Sequence, residues 1–172
     1  GCTIYPQAIA QSATFSPELI EEMGYQIALE ARSIGAWQIL SPCLDIAREL
    51  RWGRIEETFG EDPFMNAING TAYVRGAQRA GAICTPKHFV AHGSPVGGVN
   101  LASVAGGSYD LYNTYLPPFR MIIDQCAPLS IMNCYSVYDG EAVTGSKYML
   151  TDLLRGELGF KGYVYSDWGS IG

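Results

Sequence analysis

The sequence predicts an α/β domain of about four βα units with parallel strands, a partial (β/α)8 barrel of the TIM type. Three observations lead there. Short apolar segments alternate with amphipathic helical patterns along the 172 residues. The strands should begin near residues 37, 82, 129 and 162, at intervals of 45, 47 and 33. A barrel unit averages roughly 31 residues before insertions, so four units fit and eight do not. Each apolar segment is also followed by polar residues, and in parallel α/β folds the strand C-termini share the ligand-binding face. An open doubly wound sheet is the alternative, but neither Gly97-Gly98 nor Gly106-Gly107 makes a GxGxxG turn between strand and helix.

The elements follow in order. Ser16-Pro17-Glu18 reads as an N-cap, a proline in the first turn and an acid complementing the helix dipole. Leu19, Met23, Ile27, Ala31 and Ile34 then recur every three or four residues up to Gly35. Residues 36–42 form the first strand. Asp62-Pro63 opens a second helix through Ile68, Ala72 and Ala80, ended by Gly81, and residues 82–85 form the second strand. Residues 108–124 divide into two short helices at Pro117-Pro118. The third strand covers 129–132. Ser146 caps a last helix with Leu150, Leu153, Leu154 and Leu158, Gly159 closes it, and residues 162–166 form the fourth strand.

Composition narrows the function classes. Hydrophobic residues make up 48% and charged residues 16%, enough for a sizeable core and too little charge for a disordered chain. With 17 acids against 11 bases the net charge is −6, which disfavours nucleic acid, and no polybasic segment suits an anionic membrane. No apolar run approaches the roughly 18 residues of a membrane helix. Residues 1–11 lack an initiator Met, a basic n-region and an apolar h-region, so no signal peptide is expected within this chain. The abrupt start at Gly1 reads as a cut within a longer polypeptide. The compartment stays open, with a periplasmic or secreted parent compatible. Cys2, Cys43, Cys84, Cys126 and Cys134 are odd in number and form no CxxC pair. Mostly buried free thiols are expected, with no disulfide framework and no zinc ribbon.

The polar residues at the strand ends point to a ligand. Asp45, Arg48, Arg51, Arg54, Glu56 and Glu57 follow the first strand; Lys87, His88 and His92 the second; Asn133, Tyr135 and Asp139 the third; Asp167 and Trp168 the fourth. Carboxylates and cations grip hydroxyls through charge-assisted hydrogen bonds, and aromatic faces cover the C–H surface of a sugar ring. The same cations would equally suit a phosphorylated ligand. His88 and His92 have the i,i+4 spacing of two metal ligands on a helix, but His88 follows a strand directly and no third ligand is apparent, so neither a metal nor a cofactor is expected.

Longer motifs are more specific. Residues 41–48 (Ser-Pro-Cys-Leu-Asp-Ile-Ala-Arg) continue into Arg51-Trp52-Gly53-Arg54 and on to Gly60-Glu61-Asp62-Pro63. Lys87-His88-Phe89, Met132-Asn133-Cys134-Tyr135 and Ser166-Asp167-Trp168 follow in order. Together these blocks resemble glycoside hydrolase family 3 over essentially the whole chain. The resemblance implies a retaining β-glycosidase, exo-acting on β-glucosides or β-xylosides, with Asp167 as nucleophile. It implies that Arg54, Lys87 and His88 hold glycone hydroxyls and that Met132 and Tyr135 line the same subsite. Structural alternatives stand beside these roles: Asp167 as a helix N-cap, Arg54 paired with Glu56, Glu57 or Glu61, and Tyr135 packed under a loop. Trp168 is expected to stack or pack.

One departure matters. After His92-Gly93 the chain continues Ser94-Pro95-Val96-Gly97, and the Asp-Ser-His segment that supplies the proton donor in the family's β-N-acetylglucosaminidases is absent. The β-glucosidase and β-xylosidase branch is therefore implied, with its acid/base Glu beyond the nucleophile; a β-N-acetylglucosaminidase and a non-catalytic sugar-binding barrel are the alternatives. Residues 1–172 then read as a fragment of the family's N-terminal barrel domain, truncated at both ends. Its expected partners are a β-linked oligosaccharide or aryl glycoside and the remainder of its own chain. Glu61, Glu141 and Glu157 carry no motif for proton donation, so the fragment alone should be inactive. The apolar dipeptides Ile83-Cys84, Ile131-Met132 and Tyr163-Val164 should give it an apolar inner face.

Overall fold

Side chains that take up free backbone N–H groups set the helix starts in the computed structural model, which describes residues 2–171. The five-residue helix α1 (Ala8–Ser12) has no side-chain cap, and sequence reading passes over it. Helix α2 (Pro17–Ser33) begins where Ser16 Oγ accepts a hydrogen bond from Leu19 N at 3.3 Å. Helix α3 (Pro63–Arg79) begins where Asp62 Oδ1 accepts one from Met65 N at 2.7 Å. The chain leaves these helices through Gly35 and Gly81, at φ +88° and +84°, a region open to glycine without steric cost. Pro117 separates a short α4 (Ser108–Asp110), continued by a wide turn over Leu111–Tyr115, from α5 (Pro117–Cys126). Ser146 Oγ accepts from Met149 N at 3.0 Å, the expected cap. The helix beyond it, Tyr148–Glu157, is π-helical rather than the α-helix that the leucine spacing suggests. Its buried set, Met149, Leu153, Leu154 and Leu158, recurs every four to five residues, which suits i→i+5 bonding.

The expected strands are present and short. Strand β1 (Gln38–Ile39) pairs in parallel with β2 (Ile83–Cys84), and β3 (Ser130–Met132) pairs in parallel with β6 (Tyr163–Tyr165). Backbone bonds from Met132 N to Pro86 O (3.0 Å) and from Phe89 N to Met132 O (2.7 Å) join the exit of β2 to β3. Four parallel strands therefore lie side by side in chain order. An antiparallel hairpin of β4 (Val137–Tyr138) and β5 (Glu141–Ala142) follows β3 and was not expected. Its two-residue turn is Asp139-Gly140, at φ +47° and +83°, the left-handed pair that matches the twist of a hairpin.

The two faces of the parallel sheet differ. Ile39, Cys84, Ile131 and Val164 pack toward the helix layer, where Ile20, Ala77, Phe119, Ile122, Leu153 and Leu154 complete the core. The opposite face is not the apolar surface expected. Gln38 Nε2 donates to Thr85 Oγ1 at 2.9 Å and lies 3.5 Å from Ser130 Oγ, making a polar row across three strands. Tyr163 and Tyr165 are exposed on β6. The reason is strand alternation: in each apolar dipeptide one side chain faces the helices, so on the opposite face only Ile83, Met132 and Tyr163 remain of them, interspersed with Gln38, Thr85 and Ser130. Cys43, Cys84 and Cys134 are buried, Cys126 is half-buried, Cys2 is exposed, and all are free thiols. No helix of the described residues is long and apolar enough to cross a membrane.

Helices α2 and α3 make the closest helix contact, and glycines permit it. A methyl group at Gly76 would collide with the Glu21 carbonyl, and one at Gly24 with the Tyr73 carbonyl. Gly76→Ala should lower stability by about 1–3 kcal/mol, overpacking outweighing the roughly 1 kcal/mol gain in helix propensity. Gly156→Ala, where the nearest atom is Thr151 O at 3.7 Å, should be neutral or stabilising. Equilibrium unfolding midpoints of the two variants check this; equal midpoints would contradict it.

Candidate active site

The site begins where β1 ends. Cys43 forms parallel bridges to Lys87 and to Thr58, which brings the β1 loop, the Arg54 segment and the exit of β2 together. Residues 43–47 are all buried, and among them Asp45 is the single charged side chain. Its Oδ2 lies 2.6 Å from His88 Nδ1 and accepts a hydrogen bond from the Cys43 thiol at 3.1 Å. Burial alone would raise the Asp45 carboxyl. The charge and hydrogen bond of His88, helped by His92 and the Cys43 thiol, overcome that and hold it at about 2. Burial and the Asp45 charge together push the Cys43 thiol well up.

The other edge of His88 faces two further groups. Its Nε2 lies 3.2 Å from Arg54 Nη2 and 3.4 Å from Asp167 Oδ2. Arg54 is held by a bidentate ion pair with Glu57, at 2.7 and 2.9 Å. The hydrogen bonds to Glu57 raise the guanidinium against the effect of burial. Burial in turn would raise Glu57, but Arg54, Lys87 and His88 bring it below the ordinary carboxylate range. His92 is also buried, with Nδ1 at 3.2 Å from Ser136 Oγ and its ring edge-on to Trp52 and His88. Burial lowers it to about 4, with the Arg54 and His88 charges adding to the effect and Asp45 opposing it.

Asp167 enters from the end of β6. Its N–H donates to Asn133 Oδ1 at 3.2 Å, and its Oδ1 accepts from Trp168 N at 2.7 Å. Its Oδ2 is buried and has no hydrogen-bond partner. Tyr135, after β3, lies beside this carboxylate; burial and the neighbouring Asp167 raise its hydroxyl.

Of the residues singled out in the sequence, Arg54, His88 and Asp167 form one contact chain, with Tyr135 beside it. Lys87 is half-buried, forms no ion pair among the described residues, and shares a cleft with Tyr5, Cys43 and Glu57. Met132 is buried on the sheet face opposite the helices, while its backbone ties β2 to β3. Trp168 is 85% exposed, so its ring does not pack into the protein and its face is open. Asp45, His92 and Asn133 also belong to the cluster; the sequence placed them among the polar residues at the strand ends but assigned them no individual role. The usable signal was Asp45 itself, a lone acid in the apolar run Cys43-Leu44-Asp45-Ile46-Ala47. The i,i+4 pair His88 and His92 shares no ligand set. The donors that converge instead are Cys43, Asp45 and His88, within 4.8 Å of one another, close enough to hold a metal ion but joined here by hydrogen bonds. Buried carboxylates, two cations and an open carboxylate oxygen can bind a neutral polyhydroxyl ligand and offer a nucleophile to it.

The family described as the glycosyl hydrolase family 3 N-terminal domain matches residues 1–172. A β-xylosidase from Formosa agariphila is 37% identical over 99% of this chain and 25% of its own length. A β-glucosidase from Rhizobium radiobacter is 37% identical over 95% of this chain and 20% of its own. The crystal structure of a mutant β-glucosidase from Listeria innocua in complex with laminaribiose superposes with a TM-score of 0.94 at 34% identity, covering 98% of this chain and 24% of that one. The chain thus spans a quarter or less of the length of these relatives.

The depressed His92 has a consequence for stability. Its folded value of about 4 lies below the ordinary value near 6.5, so its neutral form stabilises the fold above that pH. That contribution is lost as pH falls from about 6.5 to 4, because the unfolded chain takes up the proton first, with an upper scale on the order of 3 kcal/mol. His92→Gln should flatten the fall in unfolding stability between pH 7 and 4.5. An unchanged slope would contradict the assignment.

Proposed function

The chain belongs to glycosyl hydrolase family 3, and on that premise we propose that it is the part of a longer retaining β-glycosidase that carries the nucleophile and grips the glycone. The observation that carries this reading is the buried Asp167 Oδ2, free of hydrogen bonds and 3.4 Å from His88 Nε2. An ionised carboxylate with an open oxygen, in a cluster that contains Arg54, is what attack on an anomeric carbon requires. Arg54, Lys87 and His88 take glycone hydroxyls, and Tyr135 and Met132 line the same subsite. The substrates are β-glucosides or β-xylosides cleaved from the end, since relatives of both names match the chain.

We read the four side-by-side parallel strands as consecutive strands of a (β/α)8 barrel; a doubly wound sheet would reverse its order at a switch point. Residues 1–172 are then a portion of the catalytic barrel domain. In the first step Asp167 Oδ2 forms a bond to the anomeric carbon as the bond to the leaving oxygen breaks and that oxygen gains a proton. In the second, water attacks the same carbon and releases Asp167. The proton donor lies elsewhere in the polypeptide. Asp45, at about 2, and Glu57, below its ordinary value, are both ionised at neutral pH, and Glu157 is engaged by Arg120 and Tyr112 at the surface.

In the full-length protein, Asp167→Asn should lower turnover of an aryl β-glucoside by about 1,000-fold or more while leaving glucose binding nearly intact, because the amide keeps the shape and loses the nucleophile. Lys87→Ala should raise KM and lower kcat together, since its bonds to the sugar persist into the transition state. Mass spectrometry after inactivation with a 2-fluoroglycoside should find the sugar on Asp167. Near-normal turnover in the Asp167 variant, or a label elsewhere, would overturn the assignment.

A further inference from the structure

His88 touches both Arg54 and Asp167, and its orientation comes from behind, through Asp45. The Asp45 side chain is fully buried, and both of its hydrogen bonds fall on one oxygen, from His88 Nδ1 and from the Cys43 thiol. The second oxygen has no partner. A buried ionised carboxylate can only accept, so the nitrogen 2.6 Å away must carry a proton. That leaves Nε2 as the single ring nitrogen whose state can change. Around it stand Arg54 with its partner Glu57, His92, Tyr135 and Asp167, with Lys87 adjacent in the chain. Without a proton, Nε2 accepts from Arg54 Nη2 at 3.2 Å; with one, its N–H faces Asp167 Oδ2, 3.4 Å away.

We propose that Asp45 is a positioning residue that fixes His88 as an Nδ1–H donor, so that Nε2 alone serves the nucleophile and the sugar beside it. While Asp167 is a free carboxylate, an Nε2–H bond supports its charge. When Asp167 is bonded to the sugar, that charge is gone and the Nε2–H is left to donate to a glycone hydroxyl oxygen. Asp45 itself touches neither the nucleophile nor the reacting bond. The Cys43 thiol, donating to the same oxygen, holds the carboxylate in register with the ring. The proposal rests on the glycosidase reading above.

The test uses the full-length protein and separates the two. Asp45→Asn removes the charge and offers an amide that can meet Nδ1 as donor or acceptor, releasing the tautomer. It should lower kcat by about 100-fold with less than about threefold change in KM. In a His88→Gln background the same change should cost at most about threefold more, because its effect passes through a ring no longer present. An equal loss in both backgrounds would overturn the proposal, as would an unaffected single variant. Nitrogen-15 NMR of histidine-labelled wild-type protein, with His88 assigned by its loss in His88→Gln, needs neither turnover nor a folded Asp45 variant. At neutral pH it should find Nδ1 protonated, and a bare Nδ1 with protonated Nε2 would overturn the assignment. If the wild-type protein hydrolyses no β-glycoside, the glycosidase reading fails and the NMR signal still decides the Asp45–His88 arrangement.

Discussion

The direction shared by four strands governs everything else in this molecule. Because β1, β2, β3 and β6 run parallel, their exits lie on one side of the sheet, and the residues just beyond them meet although they are far apart in sequence. Each exit contributes differently. The β1 loop brings Asp45 and, further on, Arg54; the β2 exit brings His88; the β3 exit brings Asn133 and Tyr135; the β6 exit brings Asp167. The helix layer behind Ile39, Cys84, Ile131 and Val164 supplies the burial that makes these polar residues electrostatically potent.

Within the cluster, acids enclose the basic groups. Glu57 faces Arg54, Arg54 faces His88, and His88 is bracketed by Asp45 and Asp167. Removing two or three charges from water is tolerable only when each has a partner of opposite sign or a hydrogen bond. Asp45 satisfies that rule through one oxygen and leaves the other bare, and Asp167 likewise presents an open Oδ2. Gln11, Asn66, Asn69 and Thr71 also leave a buried oxygen without a partner, so what distinguishes the cluster is that both of its bare oxygens belong to carboxylates.

Much of this was legible in the sequence, and the limits have physical causes. Helix starts were readable because Ser16, Asp62 and Ser146 act on backbone N–H groups three residues away, a purely local interaction. Strand positions were readable from apolar runs, but the character of each face was not, because Ile131-Met132 reads as uniformly apolar while its two side chains point in opposite directions. The hairpin is not anticipated although Asp139-Gly140 carries its turn signal, because Asp139 counts in the sequence only as a polar residue after the third strand. The π-helix over Tyr148–Glu157 depends on packing across the whole layer and had no local mark. Arg54, His88 and Asp167 were found through motif resemblance. Asp45 stood among the polar residues after the first strand, but its role depends on a contact across 43 residues of sequence, which neither spacing nor periodicity reveals.

The antiparallel hairpin β4–β5 interrupts the path between β3 and the strand that carries Asp167, and it has a bearing on how the molecule assembles. Asp45, Arg54, His88 and His92 all precede residue 93. Asp167 arrives only after the hairpin and the wide helix have been laid down. The contact of Asp167 with His88 thus spans 79 residues of sequence, against 43 for Asp45 with His88 and 34 for Arg54 with His88. Closing that loop is entropically slow relative to the local steps before it, so the final, functional contact is also the one that depends on every preceding element being in place.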